Sequence, residues 1–232
     1  MAEFSNRTFI CSVLYLDIVE YTLRSSGEQI ALKERLNATL TEAIASVAAE
    51  DRIVLDTGGG AALGFLGDPE DAMSAAVSVC SALLEQKATA GTRAWIRAGI
   101  NLGLVGLVKD MNGKPIIVGD GVKMAQHIML FAEPGQILVS RSYRDVMVRL
   151  SESYADLFHY EGAKTDKNVR EHWVYAVSAA ASSVFHNQRK KTDNASKSSS
   201  RERAIATTPP TGQRPEPGWT AAIVAWTRNL LR

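Results

Sequence analysis

The stretch from Arg52 to Pro69 reads Arg-Ile-Val-Leu-Asp-Thr-Gly-Gly-Gly-Ala-Ala-Leu-Gly-Phe-Leu-Gly-Asp-Pro. A β-branched pair, Ile53 and Val54, leads into three consecutive glycines, and glycine accepts the positive φ angles that tight hairpin turns require. Residues 61–66 then return as a strand of mostly small side chains. The stretch therefore predicts a β-hairpin. Taken alone, it fits either a tight turn between core strands or a backbone against which a ligand lies.

Strand and helix patterns continue on both sides of this hairpin. Residues 8–18 are apolar almost throughout, which is typical of a strand buried on both faces, and Asp17 stands where it ends. Further elements follow from periodicity and from capping residues: helices over 27–50, from Pro69, over 119–131 and over 140–150; strands over 94–104 and 136–139; and a terminal hairpin of 158–160 with 170–177. This order predicts an α+β fold with helices on one face of a sheet.

Composition limits the classes of function. The chain has 232 residues and a formal net charge of +1, so no overall field points to nucleic acid or to an anionic membrane. Cys11 and Cys80 fall in a strand and a helix, where they are interpreted as buried thiols in a reducing compartment. The N-terminal residues lack an apolar signal region and no run is long enough to span a bilayer. We expect a cytoplasmic protein.

The C-terminal part has a different composition. We predict a folded domain over residues 1–178, followed by a disordered polar linker over 179–217 that is rich in Ser, Thr, Pro, Lys and Arg. Residues 218–232 become apolar again and predict an amphipathic helix, which is too short to cross a membrane. This helix fits either weak attachment to a membrane surface or docking onto a partner or onto the domain itself. Its apolar face consists of Trp219, Ile223, Trp226 and Leu230.

Five motifs follow one another in a set order. They are Leu16-Asp-Ile-Val-Glu-Tyr-Thr, the hairpin, Arg97-Ala-Gly-Ile-Asn-Leu-Gly, Ile117-Val-Gly-Asp-Gly-Val-Lys-Met-Ala-Gln-His-Ile and Glu133-Pro-Gly-Gln-Ile-Leu-Val-Ser. In this order they resemble the catalytic domain of the class III nucleotide cyclases, the adenylate and guanylate cyclases, over roughly residues 9–177. The resemblance implies a ferredoxin-like core with an antiparallel-rich sheet and a head-to-tail dimer.

The resemblance also implies a composite active site in which two carboxylates hold two Mg²⁺ or Mn²⁺ ions over a nucleoside triphosphate. Such ions help to deprotonate the 3′-hydroxyl and neutralise the leaving pyrophosphate. The first carboxylate is Asp17, which could otherwise be an ordinary strand-end cap. The second position falls on Gly59, which has no side chain. Asp56 precedes it on the same strand, but strand alternation directs its side chain away from that position unless the register shifts.

The other functional positions implied by the resemblance are substituted too. The transition-state Asn position is Lys123 and the Arg position is His127. The base-reading positions are Leu55 and Ile116, and the resemblance implies Lys164, or else Lys167, as the one position that would retain a phosphate-binding lysine. Lys123 and His127 lie four residues apart on one helical face, where two basic groups fit either an exposed polar face or a triphosphate site.

Each lost charge-stabilising group costs roughly 10²–10³ in rate, although such losses are not additive. The first interpretation is therefore a catalytically degenerate cyclase-homology domain that pairs with itself or with another cyclase subunit in cyclic-nucleotide signalling. The alternative is an active, divergent cyclase that converts an NTP to a 3′,5′-cyclic nucleotide with altered base selectivity, including pyrimidines. A third is a nucleotide-binding sensor that uses Lys123, His127 and Lys164. None of the three has a nucleic acid as partner.

Overall fold

The structure is a computed structural model that describes residues 8–88, 96–166 and 169–185, with side chains left out over 84–88. All of these residues belong to one compact unit, Met1–Lys191. The strands are β1 (Thr8–Ile18), β2 (Arg52–Asp56), β3 (Gly60–Phe65), β4 (Ile96–Lys109), β5 (Pro115–Val118), β6 (Ile137–Ser140), β7 (Phe158–Thr165) and β8 (Glu171–Val177). The helices are α1 (Ser26–Ala43), α2 (Pro69–Ala88), α3 (Asp120–Leu130) and α4 (Arg141–Leu150).

The eight strands form one sheet in the order β2-β3-β1-β4-β6-β8-β7, with β5 paired to the far half of β4. β1 is antiparallel to both of its neighbours, β3 and β4. Among the described strand pairs, β4 with β6 is the parallel one. The predicted α+β fold with an antiparallel-rich sheet is confirmed.

The two faces of the sheet are packed by different helices. Alternation along β1 sends Leu14 and Leu16 into a core cluster that also contains Leu36 of α1 and Ala72 of α2. The alternate residue Val13 packs in a second cluster with Ala125 of α3. Helices therefore cover both faces, and the prediction that they lie on one face is wrong. Periodicity identifies which residues of a helix are apolar, but it does not indicate the side of the sheet on which the chain crosses.

Close contact between α3 and the sheet depends on a glycine. A Cβ atom at Gly99 of β4 would lie 2.3 Å from the backbone nitrogen of Met129 and 2.5 Å from the carbonyl oxygen of Ala125. Both atoms belong to the backbone of α3, so they cannot move aside as a side chain would. Gly99 thus sets the distance at which α3 lies on the sheet.

The helix starts follow the local signals in the sequence. Ser25 and Glu28 form a reciprocal capping box at the start of α1, and the Asp68 Oδ1 atom accepts a hydrogen bond from the backbone nitrogen of Glu70 at 2.9 Å. α1 ends at Ala43 rather than at the predicted residue 50. A turn after it still buries Val47, whereas Ile30, predicted on the apolar stripe, is 60% exposed.

Packing continues past the predicted domain end at residue 178. Residues 180–185 are helical, and Ala181 and Phe185 are buried in the main core. The Phe185 ring centroid lies 5.5 Å from that of Tyr154. Most of the predicted linker and the whole of the predicted helix over 218–232 lie outside the described residues. In the part that is described, every helix is too short or too polar to cross a lipid bilayer.

Both cysteines are buried, as predicted. Burial raises the pKa of the Cys11 thiol and of the Cys80 thiol to about 12. Because the thiolate is the reactive form, neither cysteine is a nucleophile near neutral pH.

Candidate functional site

The carboxylate of Asp17 lies at the end of β1, where the resemblance places a metal ligand. In the sheet register Asp17 is opposite Gly60 on one side and Arg97 on the other. The Asp17 Oδ2 atom accepts hydrogen bonds from the Arg97 Nε atom at 3.0 Å and from the Nη2 atom at 2.9 Å. The two side chains are 27% and 23% exposed, so the pair is partly shielded from water. One carboxylate oxygen of Asp17 is therefore held by a guanidinium group.

Position 59, where the second carboxylate is expected, faces an aromatic ring. The preceding Gly58 has φ 77°, which a turn residue with a side chain rarely adopts. The Gly59 carbonyl oxygen accepts a hydrogen bond from the Ile18 backbone nitrogen at 2.9 Å, which ties the turn to the end of β1. A Cβ atom at Gly59 would lie 3.1 Å from the Cδ1 atom of Tyr21. The space that a side chain at position 59 would enter is thus bounded by Tyr21.

Asp56 is hydrogen bonded within the hairpin turn. Its Oδ1 atom accepts hydrogen bonds from the Lys33 Nζ atom at 2.8 Å and from the backbone nitrogen of Gly58 at 2.7 Å. Partial burial raises the pKa of Asp56, but these hydrogen bonds outweigh it and the pKa is lowered overall. The strands pair without a register shift, with Asp56 opposite Ala61 and Asp17 opposite Gly60, so the two carboxylates are on opposite faces of the sheet. Asp56 instead shapes the hairpin turn.

These residues do not fit a pair of Mg²⁺ or Mn²⁺ ions. Such ions need several oxygen ligands, usually from more than one carboxylate. Of the two carboxylates described above, Asp56 is on the opposite face of the sheet, and the charge of Asp17 is already balanced by Arg97. Arg97 was not predicted as a site residue, although it begins one of the quoted motifs; only the strand register shows that it lies beside Asp17.

The two substituted positions on α3 have different environments. Lys123 is exposed to solvent. The His127 Nδ1 atom lies 3.0 Å from the Asp166 Oδ2 atom, and the His172 Nε2 atom lies 2.9 Å from the same oxygen. At the start of α3, the Asp120 Oδ1 atom lies 3.8 Å from the Arg170 Nη1 atom. This face of α3 is therefore joined to the β7–β8 hairpin, and His127 is engaged within its own chain.

Asp166 also closes that hairpin. Its backbone nitrogen donates to the Arg170 carbonyl oxygen at 3.0 Å, and its Oδ1 atom accepts from the Arg170 backbone nitrogen at 3.0 Å. The side chains of Asp166 and His172 are each 4% exposed, whereas that of His127 is 27% exposed. The sequence offered no signal for Asp166 or His172, because His127 lies far from both of them along the chain.

The remaining predicted residues are not brought together into one group. Leu55 is partly buried beside the second core cluster, which contains Ile53. Ile116 is partly buried in β5, opposite Val108. Lys164 is opposite His172 in the β7–β8 pairing, and Lys167 lies outside the described residues.

No protein-family model matches the sequence, and a search of curated proteins also finds no match. Solved structures do match. An adenylate/guanylate cyclase/hydrolase from Silicibacter pomeroyi has a TM-score of 0.61 and 22% identity, covering 75% of this chain and 98% of that one. The guanylate cyclase domain of RhGC from Catenaria anguillulae, in complex with GTP, has a TM-score of 0.56 and 20% identity, with 75% and 98% covered.

A non-canonical dimeric guanylyl cyclase domain from the RhoGC fusion protein of Blastocladiella emersonii also matches, with a TM-score of 0.52, 20% identity and coverage of 74% of this chain and 97% of that one. At these identities the likeness concerns the fold, and it covers nearly the whole length of each solved domain. The chain has the fold of the class III adenylate and guanylate cyclase catalytic domains.

Proposed function

We propose that this protein is a cyclase-homology module that does not cyclise nucleoside triphosphates and instead acts as a dimerising regulatory subunit in cyclic-nucleotide signalling. The observation that carries the proposal is position 59, where a carboxylate would be needed to share a metal pair with Asp17. Glycine stands there, with Tyr21 against it. Asp56, the nearest other carboxylate on the hairpin, is on the opposite face of the sheet.

The α3 positions support the same proposal. A residue that stabilises the charge of a transferring phosphoryl group must present a free donor to it. The His127 Nδ1 atom instead lies 3.0 Å from the buried carboxylate of Asp166, whose negative charge opposes a phosphate nearby. Lys123 is exposed and offers a charge, but it cannot supply the neutral amide of an asparagine.

The enzymatic test is incubation of the purified full-length protein with each NTP and Mn²⁺, with cyclic products measured by mass spectrometry. We expect no cyclic product above the level of a heat-denatured control. Formation of a 3′,5′-cyclic nucleotide that is lost in Asp17→Ala would overturn the proposal and establish an active, divergent cyclase.

Restoring the substituted groups is the complementary test. Gly59→Asp alone should give little activity, because positions 123 and 127 remain substituted. The triple variant G59D/K123N/H127R should exceed every single and double variant in turnover. Wild-type protein that already matches the triple variant would show that the substituted residues are competent.

Dimerisation is the second part of the proposal; one solved domain of the same fold is described as a non-canonical dimer and also as a monomer. A homodimer would contain two sites with the same gaps, so pairing with a separate cyclase subunit is the arrangement in which the module could affect catalysis. Sedimentation velocity of the full-length protein should detect dimer at micromolar concentration. Monomer at all concentrations, together with failure to co-purify any cyclase subunit from the native host, would contradict the regulatory role.

A further inference from the structure

Two histidines and an aspartate converge on one point between α3 and the β7–β8 hairpin. His127 comes from α3, Asp166 from the loop after β7, and His172 from β8. One ligand atom from each residue lies within 4.8 Å of the other two. We propose that His127, Asp166 and His172 form a binding site for a transition-metal cation of the Zn²⁺ class, separate from the Asp17 position.

The distances already approach those of a metal centre. A tetrahedral Zn²⁺ ion with bonds of about 2.0–2.2 Å holds its ligand atoms roughly 3.3–3.5 Å apart. The Asp166 Oδ2 atom lies 3.0 Å from the His127 Nδ1 atom and 2.9 Å from the His172 Nε2 atom. Opening these two contacts by a few tenths of an ångström makes room for the cation, with the two imidazole nitrogens already within 4.8 Å of each other.

The donor set decides the class of cation. Imidazole nitrogen is a ligand for Zn²⁺, Cu²⁺, Ni²⁺ and Co²⁺, whereas Mg²⁺ and Ca²⁺ prefer oxygen ligands alone. Two neutral imidazoles and one carboxylate leave a divalent cation with a single positive charge, which a partly open site tolerates. This donor set is therefore different in kind from a two-carboxylate site for Mg²⁺ or Mn²⁺.

The site is buried on one side and accessible to solvent on the other. The side chains of Asp166 and His172 are each 4% exposed, so their positions are fixed by packing. Asp166 is also oriented by the hydrogen bond that its Oδ1 atom accepts from the Arg170 backbone nitrogen, and its Oδ2 atom faces both imidazoles. His127 is 27% exposed, which gives the cation a route in and leaves a fourth position for water.

Binding would connect parts of the fold that are distant in sequence. The three ligands belong to one helix and to both sides of a hairpin loop, so the cation would fasten the hairpin to α3. Without the cation, the His172 Nε2 atom is hydrogen bonded to the Asp166 Oδ2 atom, and the His127 Nδ1 atom lies 3.0 Å from the same oxygen. The inference does not depend on whether the protein cyclises nucleotides, because none of its measurements involves turnover.

The test uses full-length protein stripped of metal with a chelator. Titration with Co²⁺ should produce the visible absorption of a low-coordinate nitrogen–oxygen site, saturating at one ion per chain, and Zn²⁺ should displace it. His127→Gln keeps a polar side chain at a partly exposed position and should weaken Co²⁺ binding by roughly 10–100-fold or more. Asp166→Asn keeps the shape of the carboxylate without its charge and should also weaken binding.

His159→Gln is the matched control, because His159 is exposed on β7 and is not part of the cluster. His186→Gln serves as a second control for the histidine that lies outside the described residues. Both controls should bind Co²⁺ as the wild type does, and far-UV circular dichroism should show that all four variants are folded. Zn²⁺ should raise the urea midpoint of the wild type and of both controls, but not that of H127Q.

Absence of a saturable Co²⁺ signal in the wild type would overturn the inference and leave a metal-free hydrogen-bonded cluster. Equal affinity in the wild type, H127Q and D166N would overturn it too, because the ion would then bind elsewhere. Binding that is lost in H186Q or H159Q but retained in H127Q would have the same consequence.

Discussion

Replacing Gly59 by alanine tests whether Tyr21 restricts position 59. The added Cβ atom would lie 3.1 Å from the Tyr21 Cδ1 atom and 3.3 Å from its Cβ and Cγ atoms, closer than ordinary van der Waals contact. Tyr21 packs against the main core, so its ring cannot move away freely. The backbone angle at Gly59 is not in the left-handed region, and the expected cost is therefore one of packing.

Two opposing terms set the size of the effect. Gly→Ala at a permissive position stabilises a protein by about 0.4–1 kcal/mol through the unfolded state. Forcing a methyl group into a filled space costs about 1–3 kcal/mol. We expect Gly59→Ala to be destabilised by about 1 kcal/mol in urea denaturation followed by circular dichroism. In a Tyr21→Ala background the same change should become stabilising, which gives a coupling energy of about 1–3 kcal/mol.

Gly27→Ala is the matched control for this double-mutant cycle. Gly27 lies in the first turn of α1, and a Cβ atom there would have no neighbour within 4 Å. This variant should be stabilised by about 0.5–1 kcal/mol, since alanine is the better helix former. If Gly59→Ala stabilises the protein as much as Gly27→Ala does, or if the coupling with Tyr21→Ala is zero, Tyr21 does not obstruct position 59.

Three further predictions concern stability. Burial, helped by Asp68, Asp51 and Glu70, raises the pKa of Asp71 from 3.8 to about 6. The folded state then binds the proton more tightly, so stability falls as pH rises from about 4 to 6. Because Asp71 is partly exposed, we expect Asp71→Asn to remove about 1 kcal/mol of this fall, measured as urea midpoints between about pH 4 and 6. If the stability of the variant changes with pH in parallel with that of the wild type, the prediction is refuted. Gly99→Ala should lower the free energy of unfolding in urea by about 3 kcal/mol or more, because its Cβ atom meets the backbone of α3. A urea midpoint equal to that of the wild type would show that α3 does not lie this close to Gly99. Lys33→Met should lower the free energy of unfolding by about 1 kcal/mol, because it loses hydrogen bonds to Asp56 and to the Gly60 carbonyl oxygen. It should also speed amide exchange in the β2–β3 hairpin. Unchanged exchange would show that Lys33 does not hold the hairpin.

Much of the fold could be predicted because its signals are local. The three glycines, the acid at the end of β1 and the capping residues at Ser25 and Asp68 each act on their immediate neighbours, and these elements are where the sequence predicts them. The side of the sheet on which α3 lies was predicted wrongly. That choice depends on how Gly99 and α3 fit together, and residues so far apart carry no shared periodicity.

The candidate site could be predicted only in part for the same reason. Strand alternation was enough to place Asp56 on the opposite face from the position it would need to fill. The Arg97 partner of Asp17 follows from the register between β1 and β4, which single-sequence patterns do not give. The meeting of His127 with His172 through Asp166 requires the position of α3 over the hairpin, and is visible only in three dimensions.

The place of β1 in the sheet has a consequence for biosynthesis. β1 is apolar almost throughout, and it pairs along its whole length with β4, from Thr8 opposite Gly106 to Ile18 opposite Ile96. These partners are roughly 80–100 residues apart, a separation that synthesis at 5–20 residues per second covers in roughly 4–20 s. During that interval the emerging strand has to be shielded from other nascent chains. Ribosome-associated chaperones should therefore bind the β1 segment before β4 has been made.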